Sequence, residues 1–351
     1  MPDIDDATAR ALARFGFDAQ LLAKFSERAA ARESTTITGT IAPLEPGDAS
    51  ALPPPGTSEH DRLTTLGTQA IARREIGVVI LAGGMATRFG GVVKAAVPVA
   101  GGKSFLAVKV GDAQLAGRVP IFVMTSAATH DRIGQQIRDE RFTGVECFPQ
   151  LASLRLTPAG ELVKPPEAYA TGHGDLTFAL RASGVLARFR AAGGKVLYMS
   201  NVDNVAATLD PTVIGAHLAS GAAITAEVVR KEHGDRGGAP ARVDGVPQIV
   251  EAFRFPKGFD QDRLELFNTN TFAFDAAAID RDFDLTYFRV EKSVDDAKVI
   301  QFERLVGQLT AFLPSHFLEV PRSRFLPVKD PDELEARRAD IEALLRSRGL
   351  L

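Results

Sequence analysis

Between Val78 and Val99 the chain reads VVILAGGMATRFGGVVKAAVPV. An apolar run stops at Gly83 and Gly84 and gives way to Thr87, Arg88 and Lys94. These residue types suit one kind of chemistry. Glycines let bare main-chain amides approach an anion closely, a hydroxyl adds a donor, and two cations add fixed charge. Together they could cradle a polyphosphate; the competing reading is an ordinary glycine-rich turn carrying surface cations. The spacing fits neither G-x-x-x-x-G-K-[ST] nor G-x-G-x-x-G. A second group lies in KVLYMSNVDN, where an apolar run delivers Asn201, Asp203 and Asn204 at its end. Strand alternation puts Asn201 and Asp203 on one side. Asp203 is the best Mg²⁺ candidate, because that ion takes one or two carboxylates beside substrate phosphates; an Asx turn is the alternative.

The elements that must hold these groups follow from periodicity. Residues 4 to 31 carry apolar positions at helical spacing, and Gly16 separates two helices. The proline-rich stretch ESTTITGTIAPLEPGDASALPPPGTSEHD reads as an irregular connection. From Ile76 onward short β-rich runs alternate with helical ones: IGVVILA, VPIFVMTS, GVECF and KVLYMS are strands. SFLAVKVGDAQLAG, THDRIGQQIRDE and HGDLTFALRASGVLARFRAAG are helices. That rhythm predicts an α/β fold: a doubly wound, mostly parallel, Rossmann-like sheet with helices on both faces. AAITAEVV, GVPQIVEAF and FNTNTFAF are further strands, and VIQFERLVGQLTAF has a helical apolar face. A last helix starts at Asp330-Pro331, with Glu333 in the capping-box position. The expected organisation is a helical extension and connecting segment over 1–70, one catalytic domain over 71–330 and a terminal helix over 331–351.

On this frame the cradle sits beyond the carboxyl end of a strand, where open α/β sheets bind ligands. Gln150 also follows a strand, and its amide offers both donor and acceptor. TGHGD opens a helix, so Gly172 and His173 lie at a helix start that favours anions, and Asp175 is read as its cap. Asn268 and Asn270 alternate to one face and could hydrogen-bond a sugar, as any half-exposed strand could. Arg322, Arg324 and Lys329 form a basic cluster in a chain of net charge −3. That charge gives no field for nucleic acid. A single cysteine, Cys147, precludes an intrachain disulfide. No run is long enough for a membrane span, and the acidic start is unlike a secretory signal, so a cytoplasmic protein is expected.

LAGGMATRFGG…K resembles the signature loop of the sugar-1-phosphate nucleotidylyltransferases. In order along the chain, CFPQ, TGHGD, SNVDN, FNTNTFAFD, VIQFE and VPRSRFLPVK are similar to blocks of the eukaryotic-type UDP-sugar pyrophosphorylases. The last block resembles the glucose-1-phosphate members more than the N-acetylglucosamine ones. The resemblance implies a nucleotidyltransferase domain that joins UTP and a sugar 1-phosphate, with Mg²⁺, to give a UDP-sugar and pyrophosphate. It implies Lys94, Arg88 and Lys329 on the phosphates, Gly83, Gly84 and Thr87 as the nucleotide loop, and Gln150 and Gly172 at the base. His173 would meet the phosphate or sugar region, Asp203 the metal and ribose, and Asn204, Glu251, Asn268 and Asn270 the sugar. Two departures stand out: no proline precedes Lys94, and the C-terminal β-helix domain of relatives is not in this sequence, which suggests a monomer or weak dimer. Broad-specificity or N-acetylglucosamine pyrophosphorylases and a non-catalytic nucleotide-sugar sensor are the alternatives. A dinucleotide-binding oxidoreductase is a further alternative, but this sequence lacks the G-x-G-x-x-G and the distal acid that such an enzyme needs.

Overall fold

A computed structural model describes residues 4–31, 34–86, 89–235, 237–294 and 297–351. Two short helices open the described chain, α1 (Asp6–Ala13) and α2 (Ala19–Ala30). Each starts on an aspartate whose carboxylate accepts first-turn amides: Asp5 from Thr8, and Asp18 from Gln20 and Leu21. Gly16, at φ 62°, separates them as the sequence predicts. Their apolar faces, with Leu22 and Phe25 fully covered, pack on Leu154, Leu156, Ile300 and Phe302.

The main framework follows in chain order: β1 (Ala49–Ala51), α3 (Ser58–Ala72), β2 (Ile76–Leu81), α4 (Phe105–Ala116), β3 (Ile121–Thr125), α5 (His130–Asp139) and β4 (Val145–Pro149). Then come α6 (Leu176–Ala182), α7 (Val185–Ala191), β5 (Val196–Asn201), α8 (Pro211–Ser220), β6 (Ile224–Arg230), β7 (Leu266–Asp275), β8 (Ser315–Glu319), α9 (Pro331–Ala336) and α10 (Arg338–Ser347). The strands form one 8-stranded sheet in the order β1-β8-β6-β7-β5-β2-β3-β4. All neighbours are parallel except β7, which runs antiparallel to both β5 and β6, so the sheet is mixed. Alternation along β2 feeds two cores. Val78 and Ile80 join Leu63 of α3, Phe105 of α4 and Val213 of α8, while Val79 and Leu81 join Leu180 of α6 and Leu186 of α7. Helices therefore cover both faces. No helix among the described residues is long and apolar enough to cross a membrane.

Three local expectations change. The segment read as irregular supplies edge strand β1 and the start of α3. Helix α3 carries Gly67 mid-helix, which weakens its signal; a Cβ there would lie 1.8 Å from the Pro211 carbonyl of α8. The helix expected over 173–193 breaks at Gly184, which is left-handed at φ 72°. The helical face expected over 299–312 is a strand, Ala297–Glu303, followed by a 3-10 turn, Val306–Ala311. Phe302 and Val306 are buried in different clusters, so their helix-like spacing is incidental. Strand Ala297–Glu303 pairs with Phe288–Val294 in a two-stranded ribbon outside the main sheet. At the C-terminal end Asp330 accepts the Glu333 amide at 2.9 Å, and the Glu333 carboxylate accepts the Lys329 amide at 2.7 Å.

Candidate active site

Adjacent parallel strands β2 and β5 end together, with Leu81 opposite Asn201. Beyond their carboxyl ends opens a cleft of about 810 Å³. Gly83, Gly84 and Met85 after β2, Ser126 after β3, Gln150 after β4, and Asn201, Val202 and Asp203 at the end of β5 form one wall and the floor. Gly172 and His173, Tyr169 of a hairpin formed by Ala152–Leu154 and Ala168–Ala170, the adjoining Arg155, and Lys292, Gln301 and Glu303 of the ribbon form the other wall. Of the residues predicted to bind nucleotide or phosphate, Gly83, Gly84, Lys94, Gln150, Gly172, His173 and Asp203 converge there. Thr87 and Arg88 lie outside the described residues.

After Gly84 the chain doubles back, Met85–Ala86 pairing with Val92–Val93, so that Lys94 returns beside the glycines. The Lys94 amide faces the Gly84 carbonyl at 3.4 Å. Its ammonium meets the Asp203 carboxylate at 2.5 Å, both side chains being mostly covered. Below this pair lies a buried polar network. The Lys109 ammonium donates to the carbonyls of Asn204 (3.3 Å) and Ala207. Burial pushes Lys109 down to about 8. Asn204 is itself buried; its side chain accepts from the Leu326 amide at 2.9 Å and donates to the Arg324 carbonyl at 3.5 Å. The Val328 amide donates to the Asp203 carbonyl at 3.1 Å. The segment bearing Lys329 is thus fastened to the loop bearing Asp203. The Lys329 side chain is exposed and does not line the cleft as it stands.

Arg322, Arg324 and Lys329 are not a cluster of free cations. Arg322 pairs with Asp235 at 2.7 Å. Arg324, whose side chain is mostly covered, holds the Glu227 carboxylate with two donors at 2.9 Å each and reaches the Tyr198 hydroxyl at 3.0 Å. Arg324 is a strut between β5, β6 and the Lys329 segment.

On the opposite wall Gly172 adopts φ 96°, and a Cβ on it would lie 2.4 Å from the Arg304 carbonyl. Gly174 is similarly pressed: a Cβ on it would lie 2.5 Å from the Leu305 nitrogen. The bareness of these two glycines serves packing by the Arg304 main chain. Asp175 caps nothing with its side chain. It is fully buried, accepts from the Thr171 hydroxyl at 2.5 Å and pairs with Arg304 at 2.6 Å. Burial raises its carboxyl, and the Arg304 guanidinium opposes that. The His173 Nδ1 accepts the Val306 amide at 3.2 Å, which leaves the proton on Nε2. Burial pushes this imidazole down to about 4, so it is neutral near pH 7. Gln150 is 5% exposed, and its amide lies within 3.2 Å of where a Cβ on Gly83 would sit.

The sugar candidates are spread more widely. The expected alternation of Asn268 and Asn270 is broken by a bulge: Val228 pairs with Asn268 and Glu227 with Thr271. Asn270 takes φ 55°, its amide donates to the Asn268 side chain at 3.1 Å, and its own side chain donates to Asn201 at 3.0 Å. Asn201 carries that contact to the cleft. Glu251 lies beside Gly238 and Gly307, away from the cleft lining, and burial raises its carboxyl. Among the described residues no group of three His, Cys, Asp or Glu side chains is placed to hold a metal unaided. The lining residues Arg155, Tyr169, Gln301 and Glu303 are not among the sequence candidates: the segment of the first two carries no assigned element, and that of the last two reads as a helical face.

A glycine turn, a lysine and an acid just past a strand thus converge at the carboxyl edge of a mixed α/β sheet, where open sheets of this kind bind ligands. The chain belongs to the UTP–glucose-1-phosphate uridylyltransferase family, whose model matches residues 34–346. It is 28% identical over 284 residues to the UTP–glucose-1-phosphate uridylyltransferase of Encephalitozoon cuniculi, covering 74% of this chain and 57% of that protein. With the Hordeum vulgare enzyme of the same name it shares 28% over 295 residues, 76% of this chain and 62% of the relative. The chain therefore spans about three-fifths of the length of these relatives. In fold it resembles a UDP-glucose pyrophosphorylase variant from Leishmania major in complex with UDP-glucose, with TM-score 0.72, 24% identity and coverage of 95% and 79%. It also resembles the UDP-N-acetylglucosamine pyrophosphorylase of Trypanosoma brucei, with TM-score 0.77, 18% identity and coverage of 96% and 79%.

Proposed function

We propose that the protein transfers a uridylyl group from UTP to a sugar 1-phosphate, glucose 1-phosphate first among them. The Lys94–Asp203 pair carries this reading, because it sets a cation and a carboxylate together between the glycine turn and His173. A sugar-phosphate oxygen attacks the α-phosphorus of UTP, the bond to the bridging oxygen breaks, and pyrophosphate leaves with that electron pair. The nucleophile is already ionised, so no general base is needed; neutral His173 agrees, since its Nε2–H is a donor. The work is positioning and charge stabilisation. Lys94 follows charge on the α-phosphate and the incoming phosphate, Lys329 and Arg88 add to it, and Gln150 and Gly172 hold uracil.

Asp203 suits Mg²⁺: one carboxylate at a strand end, completed by substrate phosphates. That ion would neutralise phosphoryl oxygens. Asn270, tied to Asn201, sets the sugar side with Asn268; Asn204, through the chain it anchors, and Glu251, which lies outside the cleft lining, would act from behind it. The names of its relatives favour glucose 1-phosphate. We further place the protein in the cytoplasm. The test is pyrophosphate release from UTP and Mg²⁺ with a panel of sugar 1-phosphates. Glucose 1-phosphate is expected to lead. A lead by N-acetylglucosamine 1-phosphate would replace the sugar, and no release with any sugar would sink the reading.

A further inference from the structure

Three cations line the cleft among the described residues: Lys94, Arg155 and Lys292. Only Lys94 is accounted for above. Two phosphorylated reactants are polyanions, the sugar phosphate alone carrying about two negative charges. Lys94 already spends its charge on Asp203.

Arg155 and Lys292 belong to one wall. Leu156, next to Arg155, exchanges main-chain hydrogen bonds with Ile300 of the ribbon at 3.1 and 2.7 Å. Lys292 lies on the partner strand of that ribbon, opposite Val299. Both are held in reserve by carboxylates, Lys292 by Glu303 at 2.5 Å and Arg155 by Glu167. Lys292 is 46% exposed, so its pair is worth ~1 kcal/mol or less and a phosphate can displace the partner. Arg155 has spare capacity: its Nε is buried and has no hydrogen-bond partner among the described residues. A guanidinium with an unpaired Nε beside a cleft is suited to a phosphate, which such a group can grip with two parallel bonds once its carboxylate partner is exchanged. A buried donor without an acceptor is a cost to the fold, which an anion would remove if the side chain turned its Nε toward the cleft.

The geometry points to Arg155 and Lys292 as a second cationic contact for substrate phosphates, facing Lys94 and Asp203 across the cleft. This rests on the transferase reading of the same cleft. Binding exchanges one ion pair for another: the phosphate takes Lys292 and Arg155, and Glu303 and Glu167 return to solvent. Glu303 precedes Arg304, whose main chain is wedged under Gly172 and Gly174. The exchange therefore happens beside the His173 turn.

The experiment measures turnover of UTP and glucose 1-phosphate, and calorimetric binding of UTP and of inorganic pyrophosphate, for the wild type, R155Q, K292Q and K292R. Each glutamine variant is expected to lose about tenfold in KM for a phosphate-bearing substrate or in pyrophosphate affinity. K292R should recover most of that, and the melting temperature of K292Q should stay at the wild-type value. The substrate whose KM moves identifies the phosphate that is held. Wild-type affinities and kinetics in both glutamine variants would overturn the assignment. A wild-type protein that binds pyrophosphate but turns over no sugar 1-phosphate would overturn the transferase reading instead, and the binding comparison would still decide the roles of Arg155 and Lys292.

Discussion

The two walls of the cleft are built on different principles. One is the carboxyl edge of the central sheet, where β2 and β5 run in parallel register and deliver Gly83, Gly84 and Asp203 from buried strands. The other is assembled from a two-stranded ribbon, a short hairpin and the TGHGD turn, none of them in the main sheet. Glycines show the contrast. A Cβ on Gly84 would meet nothing within 4 Å, whereas one on Gly172 would strike the Arg304 carbonyl at 2.4 Å. The first wall is bare toward open space. The second is bare because another segment of the chain fills the room.

The largest effect should come from Lys94. Lys94→Met removes the cation opposite Asp203 and is expected to lower kcat by about 10³-fold or more. The melting temperature should change little, since the pair is not fully buried. Near-normal pyrophosphate release from this variant would remove the first wall from catalysis. The second wall should respond in stability instead. Asp175 and Arg304 are 0% and 7% exposed. Asp175→Ala would leave the guanidinium buried without its carboxylate, at a cost of about 3–5 kcal/mol by urea unfolding. A loss no larger than that of a surface substitution would show that the ribbon is not bolted down through this pair.

Legibility in the sequence follows the same division. Strand-end residues after an apolar run announce themselves, so Gly84, Asp203 and Gln150 were placed from local pattern alone. The second wall depends on contacts between distant segments: Asp175 to Arg304, Leu156 to Ile300, and Asn270 to Asn201. No short window contains both partners. Asp175 resembled a helix cap for that reason, and the strand before Arg304 resembled a helix because Phe302 and Val306 fall at helical spacing while facing different cores. The basic block at Arg322–Lys329 misled in the opposite way. Its charges are adjacent in sequence, yet Asp235 and Glu227 take two of them from other elements.

The glycine contrast gives a paired test of intermediate size. Gly172→Ala forces a side chain at φ 96° against the Arg304 main chain and should cost about 1–3 kcal/mol. It should also lower kcat/KM, because His173 moves with the turn. Gly84→Ala should leave stability within ~0.5 kcal/mol of wild type and reduce activity alone. If Gly84→Ala destabilised the protein as much as Gly172→Ala, the two walls would not differ in the way proposed.

The smallest effect is electrostatic and separates His173 from the rest of its wall. Burial lowers this imidazole from 6.5 to about 4, and the Val306 amide fixes Nδ1 as an acceptor. A group with its folded-state value depressed binds its proton less readily in the native state than in the unfolded chain. Stability from this residue is therefore fully present above pH 6.5 and is lost as pH falls toward about 4. Buried His217, also near 4, adds a second loss over the same interval. His173→Gln should remove about one proton from the slope of unfolding free energy against pH, roughly 1.4 kcal/mol per pH unit at most. The share from His217 should remain. Denaturant unfolding from pH 7 to 4 measures this directly. An unchanged slope in His173→Gln would mean that the imidazole opens to solvent and protonates in the native protein, so that the ribbon wall does not hold it neutral.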